Sequence, residues 1–139
     1  MHAPWSSRRA AAVAAGGLVG AVTRWAVLEV FEVRGDFSWP ILALNLGGSF
    51  VLGVVLAEEW THPRAHLLLH DAAGIGFCGG LTTFSTFALE VARLLDDGAS
   101  GMALSYLGVS MTGAVLAVTI GAAMFHRVRA LTLPLEEEP

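Results

Sequence analysis

Four long apolar segments constrain this chain more than any other feature of its sequence. They cover residues 10–31, 39–57, 72–95 and 102–125, and the second and fourth contain no charged residue. A helix that crosses a bilayer needs about 20 mostly apolar residues, and each segment meets that requirement. The sequence therefore predicts an all-α membrane protein with four transmembrane helices, in a single domain that covers residues 1–139.

The composition argues against the other classes of protein. Hydrophobic residues make up 55% of the chain and charged residues 14%, and the mean hydropathy is +0.64, whereas soluble domains carry about 25% charged residues. No nucleophile, base and orienting acid occur together and no phosphate-binding loop is present, so an enzyme is not expected. All cationic residues are Arg, and with a net charge of −4 they form no basic patch for nucleic acid. None of the segments shows the strict alternation of a barrel strand.

The segments are joined by short charged connectors at 32–38, 58–71 and 96–101, and a polar tail follows at 126–139. The Arg pair before the first segment is also compatible with a cleaved export signal, but the apolar run is too long for a signal core and favours a retained span. With four spans, the termini and the middle connector share one side. That side carries five Arg against two on the other and is therefore expected to be cytoplasmic; the five are Arg8, Arg9, Arg64, Arg127 and Arg129, and the two are Arg34 and Arg93.

Residues 79–87 (GGLTTFSTF) are an unusual sequence for the third span. Two glycines and two adjacent threonines weaken a helix, and four hydroxyl groups within five residues compete for backbone hydrogen bonds. We expect the helix to break here at mid-membrane, where free backbone groups are tolerated only inside protein or beside a watery cavity. Such breaks carry ion sites in membrane proteins, with carbonyl groups suited to a cation and hydroxyl hydrogens to an anion. The alternative is a kinked, tightly packed helix.

Other residues of the spans permit both a structural and a functional interpretation. Phe84 and Phe87 are one turn apart, which usually indicates packing, but ring edges also suit an anion. Arg24 either extends to the membrane interface or attracts anions toward a vestibule. Asn45 is expected to form a hydrogen bond between helices, with a pore donor as the alternative. Glu90 is predicted to be buried or nearly so, either capping a polar network or binding a proton.

Three weaker features complete the candidate set. Tyr106 and Ser110 lie one turn apart on one face of the fourth span. His62, His66 and His70 have a spacing used by metal ligands, although Pro63 and the connector setting argue against a metal site. Small residues four positions apart predict close helix packing, in the pairs Gly16–Gly20, Gly17–Ala21, Ser49–Gly53 and Gly76–Gly80.

These motifs are similar to those of the CrcB/Fluc family of fluoride channels. The resemblance covers nearly the whole chain and is carried by residues 16–25 (GGLVGAVTRW), 45–53 (NLGGSFVLG) and 76–87 (GFCGGLTTFSTF), followed by Glu90. It implies an antiparallel dimer in the plasma membrane, with two narrow pores built from both subunits and passive export of fluoride. Fluoride itself is implied by the resemblance and not by the spacing of residues.

The resemblance also implies roles for individual residues. The backbone carbonyls of Gly79 and Thr82 would hold a structural sodium ion on the dimer axis, and Arg24 would face a vestibule or brace the fold. The remaining residues would belong to the fluoride path, namely the rings of Phe84 and Phe87, the Asn45 amide as a donor, and the hydroxyls of Ser85, Thr86 and Ser110.

Two departures from the family pattern carry expectations of their own. Pro40 and Ile41 stand where the family often has Gly-Thr, so a pore hydroxyl is expected to be missing there. The Arg bias predicts a fixed orientation, and hence pairing with an oppositely oriented paralogue in place of a second copy.

Two other functions compete with a channel. A small dual-topology drug exporter needs an embedded acid in the first span, for which Glu29 is poorly placed, and a non-transporting membrane scaffold leaves the third-span break without a purpose.

Overall fold

A computed structural model describes residues 6–31, 37–58 and 68–132, and every regular element in these ranges is helical. Helix α1 is Ser7–Val30, α2 is Trp39–Ala57, α4 is Phe84–Asp96 and α5 is Ser100–Thr132. Helix α3 is a π-helix over His70–Cys78 that continues as one α-helical turn, Gly79–Leu81. Together α3 and α4 form the third of four segments that are long and apolar enough to cross a membrane. The prediction of four helical segments long and apolar enough to cross a membrane is confirmed.

Glycine residues allow α1 and α3 to pack with their backbones in contact. A Cβ atom added at Gly76 would lie 2.5 Å from the Val13 carbonyl oxygen, and one added at Gly16 or Gly20 would overlap the backbone of α3. Since no larger residue fits between the two backbones, the small-residue faces predicted at Gly16–Gly20 and Gly76–Gly80 are confirmed. Such close approach replaces the hydrophobic driving force that helices lack inside lipid.

A second close contact joins α2 to α5. A Cβ atom at Gly53 would overlap the Val118 backbone, and one at Gly121 would overlap the Phe50 carbonyl. At one end of this pair, apolar side chains of α2, α4 and α5 form a compact cluster that contains Ile41, Leu42, Phe87, Leu94, Ala103 and Tyr106. Outside this cluster many large apolar side chains are exposed, as expected for helices that face lipid or another subunit.

Two segments differ from the sequence expectations. Helix α5 continues through Thr132, so the first half of the predicted polar tail is helical, and 133–139 lie outside the described residues. Residues such as Ala130 and Arg129 are good helix formers, and Arg129 in the last turn favours the helix C-terminus. Asp71, assigned to a charged connector, is instead fully enclosed in α3.

The Asp71 carboxylate is enclosed because a basic side chain of α1 reaches it. Arg9 donates from Nε to Oδ2 and from Nη2 to Oδ1, the latter over 3.0 Å. A buried carboxylate needs such a charged partner, so the pair fixes the first turn of α1 against the start of α3. His70 Nδ1 lies 3.7 Å from the same carboxylate, whereas His62 and His66 lie outside the described residues.

Candidate functional site

The backbone between α3 and α4 is extended over two residues. The Thr82 N–H still donates to the Cys78 carbonyl over 2.9 Å, but Thr82 has ψ 154° and Thr83 has φ −144° and ψ 114°. Thr83 is the N-cap of α4, and its hydroxyl oxygen accepts the Thr86 N–H over 3.2 Å. A β-branched threonine with a capping hydroxyl favours this extended conformation over continued helix.

The side chain of Asn45 on α2 binds both backbone groups of Thr83. Asn45 Oδ1 accepts the Thr83 N–H over 2.9 Å, and Nδ2 donates to the Thr83 carbonyl over 3.3 Å. In an uninterrupted helix the Thr83 N–H would donate to the Gly79 carbonyl. Asn45 therefore forms the predicted hydrogen bond between helices and, in doing so, leaves the Gly79 carbonyl without its helical donor.

Arg24 on α1 binds the same interruption from the opposite helix. Its Nη1 donates to the Thr82 carbonyl over 3.2 Å, and its side chain is half-buried. Of the roles considered from the sequence, this contact matches a brace on the fold. The two extended residues are thus held by one polar side chain from each of the first two spans.

A cluster of hydroxyl groups surrounds the N-cap of α4. Thr83 Oγ1 lies 2.9 Å from Thr86 Oγ1 and 3.3 Å from Ser85 Oγ. Thr83 is buried, Thr86 is half-buried and Ser85 is exposed. Thr83 is not among the residues that the sequence assigns to the site. Threonine is a preferred N-cap residue, but the other Ser and Thr residues of this run are equally suited to that position.

An aromatic row runs from the surface to the core beside this cluster. Phe84 is 73% exposed and Phe87 is 4% exposed, and their ring centroids lie 5.9 Å apart. Phe87 packs on Tyr106 at 5.5 Å, and Tyr106 meets Phe37 edge to face at 4.8 Å. Phe87 is therefore a packed residue between two neighbouring rings, while Phe84 has most of its surface available to another molecule.

A cavity of about 370 Å³ lies against the interruption, between α2, α3, α4 and α5. Its lining includes the free thiol of Cys78 and the side chain of Thr83. The residues assigned to the site from the sequence that line the cavity are Asn45, Gly79, Thr82, Phe84, Phe87 and Ser110. The others lie outside its lining, and they are Arg24, Ser85, Thr86, Glu90 and Tyr106.

Ser110 presents a polar atom that is unusual for a buried position. The residue is 7% exposed, and its Oγ has no hydrogen-bond partner among the residues that the structure describes. Buried hydroxyl groups are normally satisfied, so a ligand or water in the cavity is expected to bind this one. Ile41, at the position where the family often has a threonine, is buried in the apolar cluster and offers no hydroxyl.

Two carbonyl groups at the cavity are candidates for binding a cation. Gly79 is exposed, and its carbonyl lacks the helical donor that the Thr83 N–H would otherwise supply. The Thr82 carbonyl has a second lone pair beside the one that accepts Arg24. Neutral oxygens of unwound backbone are the donors that monovalent cations use in membrane proteins, so this donor set fits sodium. One chain supplies only part of a coordination shell.

Polar residues continue along α4 away from the cavity. Glu90 is paired with Arg93, with Nη1 and Oε1 separated by 3.2 Å. The Glu90 side chain is 15% exposed and the Arg93 side chain is 64% exposed. Thr86, Glu90 and Arg93 follow the i, i+4, i+7 spacing of one helix face, so α4 carries a polar face next to its buried one. In a membrane such a face requires water or protein beside it.

The chain resembles known proteins over most of its length. The family model described as CrcB-like protein, Camphor Resistance (CrcB), matches residues 11–122. A fluoride-specific ion channel FluC from Bordetella avium is 40% identical over 83% of this chain and 90% of its own. Fluoride-specific ion channel FluC 1 from Nocardia farcinica is 42% identical over 78% and 74% of the two chains. The FluC channel from Azotobacter vinelandii is 36% identical over 79% and 90%.

Proposed function

The chain belongs to the CrcB family, and on that premise we propose that it is a fluoride-specific channel through which fluoride leaves the cell passively. The observation that carries the proposal is the cavity at the helix interruption, where the Asn45 amide, the unpartnered Ser110 hydroxyl and the Phe84 and Phe87 rings meet. The relatives named fluoride-specific channels support the identity of the ion.

The chemistry of the cavity suits a small, strongly hydrated anion. A fluoride ion that leaves water needs hydrogen-bond donors at short range to replace its hydration shell. One amide hydrogen of Asn45 remains available, since Nδ2 carries two hydrogens and one binds Thr83. Aromatic ring edges add weak positive charge to the path. A full cation would also attract larger anions, and the ring edges avoid that.

The interruption between Leu81 and Phe84 is proposed to be a break in the third span at the centre of the membrane. Free backbone groups at that depth need internal partners, and Arg24 and Asn45 supply them. The same break orients the Gly79 and Thr82 carbonyls for a structural sodium ion. Sodium would neutralise the negative ends of those carbonyl dipoles and fix the position of α3.

A second subunit is proposed to complete both the cation site and the anion path. Phe84 is mostly exposed beside the cavity, and two carbonyls from one chain leave a cation shell unfilled. An antiparallel partner would bring the same groups to the same level of the membrane by twofold symmetry. The partner is either a second copy or an oppositely oriented paralogue.

The distribution of Arg favours a fixed orientation with cytoplasmic termini. Five Arg lie on the side of the termini and two on the other. Arg9 is the one of these five that is paired with a buried carboxylate. Expression of this chain alone is the test: a functional dimer with both orientations would contradict pairing with a paralogue.

Fluoride efflux from liposomes that contain the purified chain tests the proposed function. A fluoride-selective electrode should record rapid efflux when a potassium ionophore dissipates the membrane potential, and chloride efflux should be much slower. Efflux of a cationic drug driven by a proton gradient would instead indicate an exporter. A well-folded oligomer without flux of either kind would indicate a scaffold.

A further inference from the structure

We propose that the hydroxyl of Thr83, and not that of Ser85 or Thr86, is the one at the start of α4 that donates to permeating fluoride. This inference rests on the proposed function and assigns the anion contact within it. Thr83 lines the cavity together with Asn45 and Ser110, whereas Ser85 and Thr86 do not. The resemblance to the family had assigned the anion contact to the latter two residues.

The hydrogen-bond inventory of Thr83 leaves its proton available to the cavity. A threonine hydroxyl has two lone pairs and one hydrogen. The Thr86 N–H occupies one lone pair, and the Thr86 hydroxyl at 2.9 Å can donate to the other. The hydrogen of Thr83 then remains, either for Ser85 Oγ at 3.3 Å or for an anion in the cavity.

This arrangement gives the buried Thr83 hydroxyl a hydrogen-bond acceptor both when fluoride is present and when it is absent. Without fluoride the Thr83 hydrogen is satisfied by Ser85, so this hydroxyl is not left unpaired. With fluoride the hydroxyl rotates toward the cavity. Because its oxygen already accepts two hydrogen bonds, its hydrogen is more strongly polarised and becomes a better donor.

The Thr83 backbone is held in place by a side chain of α2. Asn45 binds both its N–H and its carbonyl, over 2.9 and 3.3 Å. A donor fixed in advance does not need to be reoriented as the ion passes, which is the arrangement that stabilises charge most effectively. Ser85, by contrast, is exposed, and among the residues that the structure describes its hydroxyl is hydrogen-bonded to Thr83 alone.

The test compares variants of the full chain in liposomes over a series of fluoride concentrations. T83V removes the hydroxyl and keeps the shape, and we expect the maximal efflux rate to fall at least tenfold and the half-saturating fluoride concentration to rise. T83S keeps both cap and donor and should restore more than half of the rate. T86V should cost two- to threefold, and T83V/T86V should equal T83V, because Thr86 acts through Thr83. Thr112, whose hydroxyl binds its own helix over 2.6 Å, provides the control T112V.

Loss of the N-cap could by itself unfold T83V, so T83C is compared with T83S. These two differ only by sulfur for oxygen, and the thiol is both a weak donor and a weak acceptor for the cap. Melting temperatures measured beside the fluxes show whether each variant is folded, and we expect folded T83C to be at least fivefold slower than T83S. Equal fluoride efflux rates for T83C and T83S overturn the proposal. A tenfold loss of efflux in S85A or T86V also overturns it if T83V keeps nearly the unmodified rate. If the unmodified chain carries no fluoride, the proposed function itself fails. If the unmodified chain and T83V carry fluoride at similar rates, only the role of Thr83 is rejected.

Discussion

The side chain of Asn45 on α2 forms hydrogen bonds with both the N–H and the carbonyl of Thr83. The bond to the N–H satisfies the donor that the interruption between α3 and α4 removes from the helical ladder. The bond to the carbonyl adds a second donor to the group that, as the N-cap carbonyl, accepts the first hydrogen bond of α4. The same bonds free the Gly79 carbonyl and fix the residue that caps α4. One side chain from a neighbouring helix thus determines the geometry on both sides of the interruption.

Asn45→Leu should destabilise the protein and abolish fluoride efflux. The Leu side chain leaves the Thr83 N–H without an acceptor, which costs about 1–3 kcal/mol, and takes one of two donors from the Thr83 carbonyl. The melting temperature in detergent should fall by several degrees, and fluoride efflux should drop below detection. Asn45→Asp keeps the acceptor for the Thr83 N–H and should melt at a temperature between those of the unmodified chain and Asn45→Leu. Thr119→Val is the matched control, because that hydroxyl binds the Leu116 carbonyl of its own helix; an Asn45→Leu variant that melts like Thr119→Val contradicts the structural role.

The aromatic pair should separate a transport effect from a stability effect. Phe84 is exposed, so Phe84→Ile should lower fluoride efflux at least tenfold with little change in melting temperature. Phe87 packs on Tyr106, so Phe87→Ile should abolish efflux and also lower the melting temperature by a few degrees while the assembly persists. Phe31, exposed at the end of α1, gives the control Phe31→Ile. Unchanged efflux in both test variants would show that the rings only pack.

The helices and their close contacts were predictable because they follow from local properties of the sequence. Apolar length identifies the spans, and small residues four apart identify the faces, as the packing of Gly20 and Gly76 demonstrates. The polar residues of the interruption were identifiable for the same reason, since Gly79 and Thr82 belong to a run that weakens a helix locally.

The partners of these residues were not predictable, because each joins positions far apart in the chain. Asn45 and Thr83 are 38 residues apart, and Arg9 and Asp71 are 62 apart. Asp71 was assigned to a solvated connector, since nothing beside it in the sequence indicates a guanidinium partner. Thr83 was overlooked as an individual residue because only the path of the backbone distinguishes it from Thr82, Ser85 and Thr86.

Replacing a glycine at the α1–α3 contact should prevent proper folding. A Cβ atom at Gly20 overlaps the Phe77 carbonyl, which is backbone and cannot move aside. Gly20→Ala should therefore reduce the yield of folded protein severalfold and lower the melting temperature by several degrees. Gly101→Ala places its Cβ where nothing lies within 4 Å and should behave like the unmodified chain. Size-exclusion profiles and thermal melts provide the measurement, and equal profiles for the two variants contradict the close contact.

Removal of sodium should lower stability if the Gly79 and Thr82 carbonyls bind it. A ligand that binds only the folded state stabilises it by mass action, so the melting temperature should rise with sodium concentration and then level off. Replacement of sodium by N-methyl-D-glucamine at constant ionic strength is expected to lower the melting temperature and slow fluoride efflux. Potassium salts test whether the site is selective. A melting temperature that is independent of the cation would contradict a sodium site.

The Arg9–Asp71 pair should contribute to stability without contributing to ion selectivity. Asp71 is fully enclosed, so Arg9→Gln leaves a buried carboxylate without its main counter-charge. Asp71→Asn leaves only a half-buried guanidinium, which reaches water more easily. Arg9→Gln should therefore lower the melting temperature more than Asp71→Asn does. The double variant should recover part of the loss, because neither charge is then buried alone. Arg93→Gln breaks the more exposed Glu90 pair and is the matched control, with a change near zero. The fluoride-to-chloride ratio of the efflux rates should stay constant in every folded variant, and a shift in that ratio for Arg9→Gln would place the pair in the ion path instead.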